Sequence, residues 1–221
     1  MNRAVVPQRP PASKFRRLAL THALMMGGDA AMIVALADSL FFDIDLSAAR
    51  TRVMLFLALS FAPFLFVAPL IGPLIDRMAG GRRLVIQLVA VARVVLCLLI
   101  AQYLDALALF PLVFASLVIQ KAYVVSKSAL VPSTVRSETE LVEANSKLGL
   151  IAGLTGAVAV VPAALLLRVI AAPATLIFAA LIFAGAFVAA TRLAPDVVAA
   201  RGPDSEEEHQ LHSGRLQLAA I

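Results

Sequence analysis

Apolar residues run along this chain in blocks of about 20, the length a helix needs to cross ~30 Å of hydrocarbon, and a short polar connection closes each block. The pattern predicts six such helices, over residues 18–42, 53–75, 84–103, 107 to about 130, 145–167, and 174 to 191 or 192. The first is expected to be interrupted in its middle by Gly27-Gly28-Asp29. The second contains Pro63, Pro69 and Pro73, whose freed backbone groups neighbouring helices can satisfy.

A longer polar connection, residues 131–144, separates the fourth and fifth spans. In it Ser137-x-x-Glu140 reads as a capping box, and Glu138 suits a first helical turn. A short surface helix is therefore expected to run into the fifth span. A tight turn over 168–173 joins the last two. The predicted organisation is a basic arm (1–17), a six-helix transmembrane domain (18–194) and an acidic tail or linker (195–221) around Glu206, Glu207 and Glu208.

Composition narrows the class. With 61% hydrophobic residues over 221 positions and a mean hydropathy of +0.92, the chain exceeds the apolar share of about half that water-soluble domains carry. The expected fold class is an all-α membrane protein. A net charge of +5 would suit nucleic acid, but the basic residues gather at the ends of apolar runs, where orientation and lipid headgroups explain them. No nucleic-acid partner is expected. The single cysteine, Cys97, lies inside a run, which excludes a disulfide framework and a thiol metal site. The first apolar run is too long for a signal peptide and lacks a convincing cleavage site, so it reads as a retained helix.

Charge also orients the spans. The N-terminal arm holds five Lys or Arg, the second connection three, the fourth with its flanking Lys127 and Lys147 three, and the tail with Arg192 three, fourteen in all. The first, third and fifth connections hold two, none and one. Both termini are therefore expected on the cytoplasmic side of the plasma (inner) membrane.

One connection carries more than hydrophobicity. In the stretch from Gly72 to Arg83, Gly72 lets two helices approach, and Asp76 with Arg77 caps the preceding helix with paired charges. Gly80 and Gly81 permit a sharp return, while Arg82 and Arg83 hold the loop on the cytoplasmic side. This loop resembles the one between helices 2 and 3 of the major facilitator superfamily, Gly-x-x-x-Asp-Arg-x-Gly-Arg-Arg, with two extra residues between Arg77 and Arg82. The segment Ala129-Leu-Val-Pro132…Leu141-Val-Glu-Ala144-Asn145-Ser146 is similar to the Ala-Leu-x-Pro…Leu…Ala-Asn-Ser connection of macrolide- and siderophore-efflux members.

The resemblance spans nearly the whole chain and implies one six-helix half of a fold built from two halves, related by an axis along the membrane normal. It further implies a secondary transporter, or its N-terminal half, that exports a small amphipathic molecule by alternating access. The implied partners are the lipid bilayer, a small-molecule substrate, protons, and a second six-helix half, either a C-terminal half or another copy. Asp76 and Arg77 would belong to a cytoplasmic gate with Gly72, Arg82 and Arg83. The contrasting expectation is a truncated or degenerate half that does not transport and acts as a membrane interaction partner. Drug–proton antiporters carry a Gly-Pro pair in helix 5, whereas here Gly149, Gly153 and Gly156 stand without one, at a spacing that suits close helix packing.

Asp29 is the first candidate for chemistry. Counted from Leu18 at ~1.5 Å per residue it lies ~16 Å deep, near the bilayer midplane. A charge there costs ~3 kcal/mol or more, so a cavity or a partner is required. It reads as a protonatable coupling or substrate site, or else as a structural ion pair or a carboxyl kept neutral by burial. Lys121, at similar depth, is the expected partner. Ser116, Gln120, Tyr123 and Lys127 give the fourth span one polar stripe, which reads as a cavity-lining face with Gln120 and Tyr123 as substrate contacts. Lys127 also suits snorkelling to the headgroups. Asp29 and Lys121 would then line a face that meets lipid unless a second half covers it.

Arg93, ten residues into the third span, is expected to find a structural partner. His22, Met25, Asp29 and Met32 share one face of the first helix; a transition-metal path is conceivable there, but methionine as gap-filling core is commoner, and no metal site is expected. No phosphate-binding glycine loop and no Ser/His/Asp constellation occurs, so neither an enzyme nor a cofactor is expected.

Overall fold

The structure, a computed structural model, describes residues 12–37, 54, 81–104, 108–135 and 137–193. Among these, five helices are long and apolar enough to cross a membrane, and no strand occurs. They are α1 (Ala12–Ala37), α2 (Gly81–Gln102), α3 (Leu109–Leu130), α4 (Glu138–Val169) and α5 (Ala172–Ala190), with a 3-10 turn, Val131–Thr134, after α3. The shortest, α5, has 19 residues, which at ~1.5 Å each still reach nearly across ~30 Å of hydrocarbon. The expected second span, the connections 43–52 and 105–107, the arm before residue 12 and the tail after 193 lie outside the described residues, as do Gly72, Asp76 and Arg77.

Two expectations about helix boundaries are corrected and a third holds. The first helix is not interrupted at Gly27-Gly28-Asp29: α1 runs unbroken and begins at Ala12, taking in Lys14, Arg16 and Arg17. Two mid-helix glycines cost about 1 kcal/mol each relative to alanine, and close packing offsets this, since a Cβ on Gly27 would sit 3.3 Å from Thr155 Cγ2 on α4. The expected surface helix does run into the fifth span, as one continuous element, α4, of 32 residues. Its start is the predicted one: Ser137 has extended backbone (φ −140°, ψ 162°) and its hydroxyl accepts from the Glu140 N–H at 3.2 Å. Arg82 and Arg83 are not in a loop but in the first turn of α2.

α5 is the centre of the bundle. Its inward residues are small, Ala179, Ala180, Ala186, Ala189 and Ala190 among them, so the backbones of α1 and α2 can both pack close against it. α4 packs on α1 and also touches α5, and α3 packs on α2. The tight turn between α4 and α5 is held by Thr175, whose hydroxyl donates to the Ala163 carbonyl at 3.3 Å, while Pro173 occupies the first turn of α5, where no N–H is needed. Larger side chains fill the interior between these backbones: Leu18, Met25, Ile86, Ile100, Leu176 and Phe183 are fully buried.

Polar bonds between helix ends fix their alignment. Arg17 of α1 donates to the Arg192 carbonyl beyond α5 at 3.0 Å, and Arg83 of α2 to the Thr191 carbonyl at 2.6 Å. Arg82 donates to the Ala129 carbonyl near the end of α3 at 3.0 Å. The starts of α1 and α2 and the ends of α3 and α5 therefore share one face of the bundle. α4 is the most open helix, exposing Val142, Leu154, Val158, Val161 and Leu165. The close packing expected of Gly149 and Gly153 is not seen among the described residues, where a Cβ at either would meet no atom within 4 Å. Both lie on the exposed side of α4.

Candidate functional site

Four helices meet at one buried polar cluster. Asp29 of α1 is 5% exposed and Arg93 of α2 is 1% exposed, and they form an ion pair from Arg93 Nη2 to Asp29 Oδ1. Gln120 of α3 donates from Nε2 to Asp29 Oδ2 at 3.1 Å, so both carboxylate oxygens are engaged. Arg93 Nη1 donates to Ser116 Oγ, also on α3, and lies 3.6 Å from Met32 Sδ. α5 supplies the fourth wall: the Arg93 Cζ sits 5.2 Å from the centroid of the Phe183 ring, a cation–π distance.

Each contact answers a cost. Two charges taken out of water are tolerable only when paired and further hydrogen-bonded, and here the pair is closed by Gln120, Ser116 and the Phe183 face. Arginine suits the role because its planar guanidinium is less strongly hydrated than an ammonium and offers several fixed donors. One donor, Arg93 Nε, has no hydrogen-bond partner among the described residues. Chemically the cluster can hold or release a proton at Asp29, and any such event would alter the bonds joining α1, α2 and α3.

The expected counter-charge is corrected. Arg93, not Lys121, pairs with Asp29. Depth alone matched Lys121 to Asp29; helical phase did not. Lys121 follows Gln120 by ~100° around α3, and Gln120 is the residue that reaches the carboxylate. The expectation that Asp29 would meet lipid without a covering half is corrected as well, since α1, α2, α3 and α5 already enclose it. Arg93 was legible as a residue needing a partner; its depth and opposite charge were the signal that could have joined it to Asp29. Met32 was signalled only by sharing a helix face with Asp29, and Phe183 gave no sequence signal for this role.

The polar stripe of α3 is filled by partners rather than left as a lined cavity. Ser116 meets Arg93, Gln120 meets Asp29, and Tyr123 meets His22, its hydroxyl 2.8 Å from Nδ1 with the rings stacked at 5.9 Å between centroids. Tyr123 and His22 are both buried. Contacts that advance along α1, from His22 to Asp29 to Met32, go backwards along α3, from Tyr123 to Gln120 to Ser116, so the helices run antiparallel with a polar seam. Ser126 Oγ is also buried, without a hydrogen-bond partner among the described residues. Of the gate residues, Arg82 and Arg83 join helix ends; Gly72, Asp76 and Arg77 lie outside the described residues. Among the described residues, no group of three His, Cys, Asp or Glu is arranged to hold a metal ion.

Comparison with known proteins finds relatives in mycobacteria. An uncharacterized protein of Mycobacterium leprae (strain TN) is 36% identical over 138 residues, covering 59% of this chain and 24% of its own length. Uncharacterized proteins of Mycobacterium tuberculosis, strains CDC 1551 / Oshkosh and ATCC 25618 / H37Rv, are each 35% identical over 157 residues, covering 67% of this chain and 28% of their own. The chain thus spans about a quarter of the length of the curated relatives it matches. No protein-family model matches the chain, and no solved structure is similar to it.

Proposed function

We propose that this chain is the N-terminal six-helix half of a secondary transporter of the major facilitator type, which exports a small amphipathic molecule by alternating access. The observation that carries the reading is the Asp29–Arg93–Gln120 cluster, a titratable ion pair enclosed midway along helices long enough to cross a membrane. Ionisable residues inside membrane spans are costly, and those retained commonly mark proton or ion pathways. In the cycle proposed here, a proton taken up by Asp29 breaks its pair with Arg93, loosens α1 from α2 and α3, and lets the bundle rock. The partner is a second six-helix half, from a longer chain or another copy; the greater length of the relatives and the exposed wall of α4 favour such a partner.

The face shared by the starts of α1 and α2 is cytoplasmic in this reading. Lys14, Arg16, Arg17, Arg82, Arg83 and Arg192 gather there, against Arg168 at the opposite face among the described residues. That asymmetry supports the orientation by the positive-inside rule.

A second reading is a membrane scaffold without transport. The completeness of bonding at Asp29, with both oxygens occupied, favours it. Reconstitution separates the two. The full chain is placed in proteoliposomes at increasing density, with crosslinking to follow association and a pH gradient to drive uptake of ethidium, an amphipathic probe. Uptake that appears together with dimers and is lost in Asp29→Asn supports the transporter. Well-folded dimers that move neither ethidium nor protons support the scaffold, and robust flux from monomers alone contradicts the half-transporter.

A further inference from the structure

Guanidinium groups from two helices reach the chain just past the end of α5, where Arg192 adds a third basic side chain. Arg17 of α1 donates to the carbonyl of Arg192 and Arg83 of α2 to that of Thr191, and Arg192 itself carries the third. One turn along α2, Gln87 donates to the Ala190 carbonyl at 3.4 Å. Three successive carbonyls thus accept from side chains of other helices. A helix C-terminus carries roughly half a negative charge, which two arginines already exceed before Arg192 is counted.

Among the described residues no ion pair answers this excess positive charge. Among the described residues the carboxylates are Asp29, Glu138, Glu140 and Glu143; Asp29 is inside the bundle and the rest are on the first turns of α4. Arg17, Arg83 and Arg192 have no ion-pair partner among the described residues. A guanidinium has five N–H donors in a planar fork, and Arg17 and Arg83 each place one on a carbonyl. Arg17 and Arg192 are exposed and Arg83 is half-buried, so donors remain available at the bundle end. About one turn deeper the same three helices expose Leu20, Leu88 and Val188, apolar surface at the depth of acyl chains.

We propose that Arg17, Arg83 and Arg192 together bind the phosphate of an anionic glycerophospholipid headgroup in the leaflet at this face. The arginine fork matches phosphate geometry, and the cytoplasmic leaflet carries the anionic lipid. The proposal rests on the membrane reading above, but not on transport. Bound there, one lipid bridges α1, α2 and α5 and offsets the repulsion among their arginines.

The test uses the full chain purified in dodecyl maltoside, with native mass spectrometry to count retained lipid and circular dichroism to follow unfolding. Phosphatidylglycerol, phosphatidylcholine and inorganic phosphate are titrated separately. One phosphatidylglycerol is expected to be retained and to raise the unfolding temperature, with phosphatidylcholine held more weakly. Arg192→Gln leaves both carbonyl caps in place, so it should fold, and it should weaken phosphatidylglycerol binding about fivefold, the weight of one basic residue at an anionic surface. Arg168→Gln, at the other face, should change nothing. Equal retention of both lipids, equal loss in Arg168→Gln, or displacement by millimolar inorganic phosphate would overturn the proposal. So would phosphatidylglycerol binding that appears only after Glu206, Glu207 and Glu208 are changed to Gln, which would make the acidic tail the occupant. Alkaline extraction from liposomes distinguishes the premise: a chain released by carbonate is not a spanning protein, whereas a chain that stays inserted yet ignores phosphatidylglycerol has no such site.

Discussion

The ring of Phe183 occupies the space that a side chain on residue 28 would need: a Cβ built on Gly28 would lie 2.7 Å from Phe183 Cε1. The same ring sits against the guanidinium of Arg93, 5.2 Å from Cζ to centroid. Gly28 therefore sets the depth of Phe183, and Phe183 supports the arginine that holds the residue next to Gly28. Backbone, packing and charge are joined in one loop of contacts through α1, α5 and α2.

Alanine at position 28 should be strongly unfavourable. Its methyl must displace a buried aromatic ring, and overpacking of this kind costs about 1–3 kcal/mol. Gly149→Ala and Gly153→Ala, whose Cβ would meet no described atom within 4 Å, should instead be neutral or stabilising by up to ~1 kcal/mol through helix propensity alone. Unfolding midpoints in a mild detergent, compared across the three variants, check the contrast. If Gly28→Ala unfolds like wild type, the packing of Phe183 against α1 is wrong.

The seam between α1 and α3 should show energetic coupling at its second contact. Tyr123→Phe removes one buried hydroxyl partner and leaves His22 Nδ1 unpaired, for a loss of about 1–3 kcal/mol. His22→Phe alone strands the Tyr123 hydroxyl at similar cost. The double variant should lose less than the sum of the singles. Strict additivity would show that the 2.8 Å contact contributes nothing.

Orientation is accessible to single-cysteine labelling. In a Cys97→Ala background, an impermeant thiol reagent added outside whole cells should label Arg50→Cys and leave Arg201→Cys untouched until the membrane is opened. Cys97 is itself fully buried, so the background change costs some packing but removes no exposed reporter. The reverse labelling pattern would invert the assigned topology.

Much of the fold was legible because lipid-length apolar blocks leave few alternatives. Five of the predicted spans correspond to α1–α5, and Ser137 caps α4 as its spacing with Glu140 predicts. Glycine misled in both directions. Gly27-Gly28 looked like a break yet lies inside α1, where it admits Thr155 and Phe183. Gly149 and Gly153 suit a packing stripe yet meet no atom of the described residues within 4 Å of a Cβ. Chain-local pattern reports what a backbone could approach, not what arrives. The cluster around Asp29 was half legible for a related reason: a midplane charge requires a partner, but which of two cations serves depends on azimuth and neighbouring helices. Arg93 reaches Asp29 because α1 and α2 both pack on α5, and no spacing in the sequence records that.

A double-mutant cycle on Asp29 tests that pairing most directly. Asp29→Asn and Arg93→Gln each leave a buried charge without its partner, which should cost about 3–5 kcal/mol. The double variant should regain most of the loss, giving a coupling energy of several kcal/mol in folded yield and unfolding midpoint. The parallel cycle of Asp29→Asn with Lys121→Gln should be additive to within ~0.5 kcal/mol. Strong coupling of Asp29 to Arg93 and none to Lys121 is the expected result. Coupling to Lys121 with additivity at Arg93 would contradict the buried centre described here.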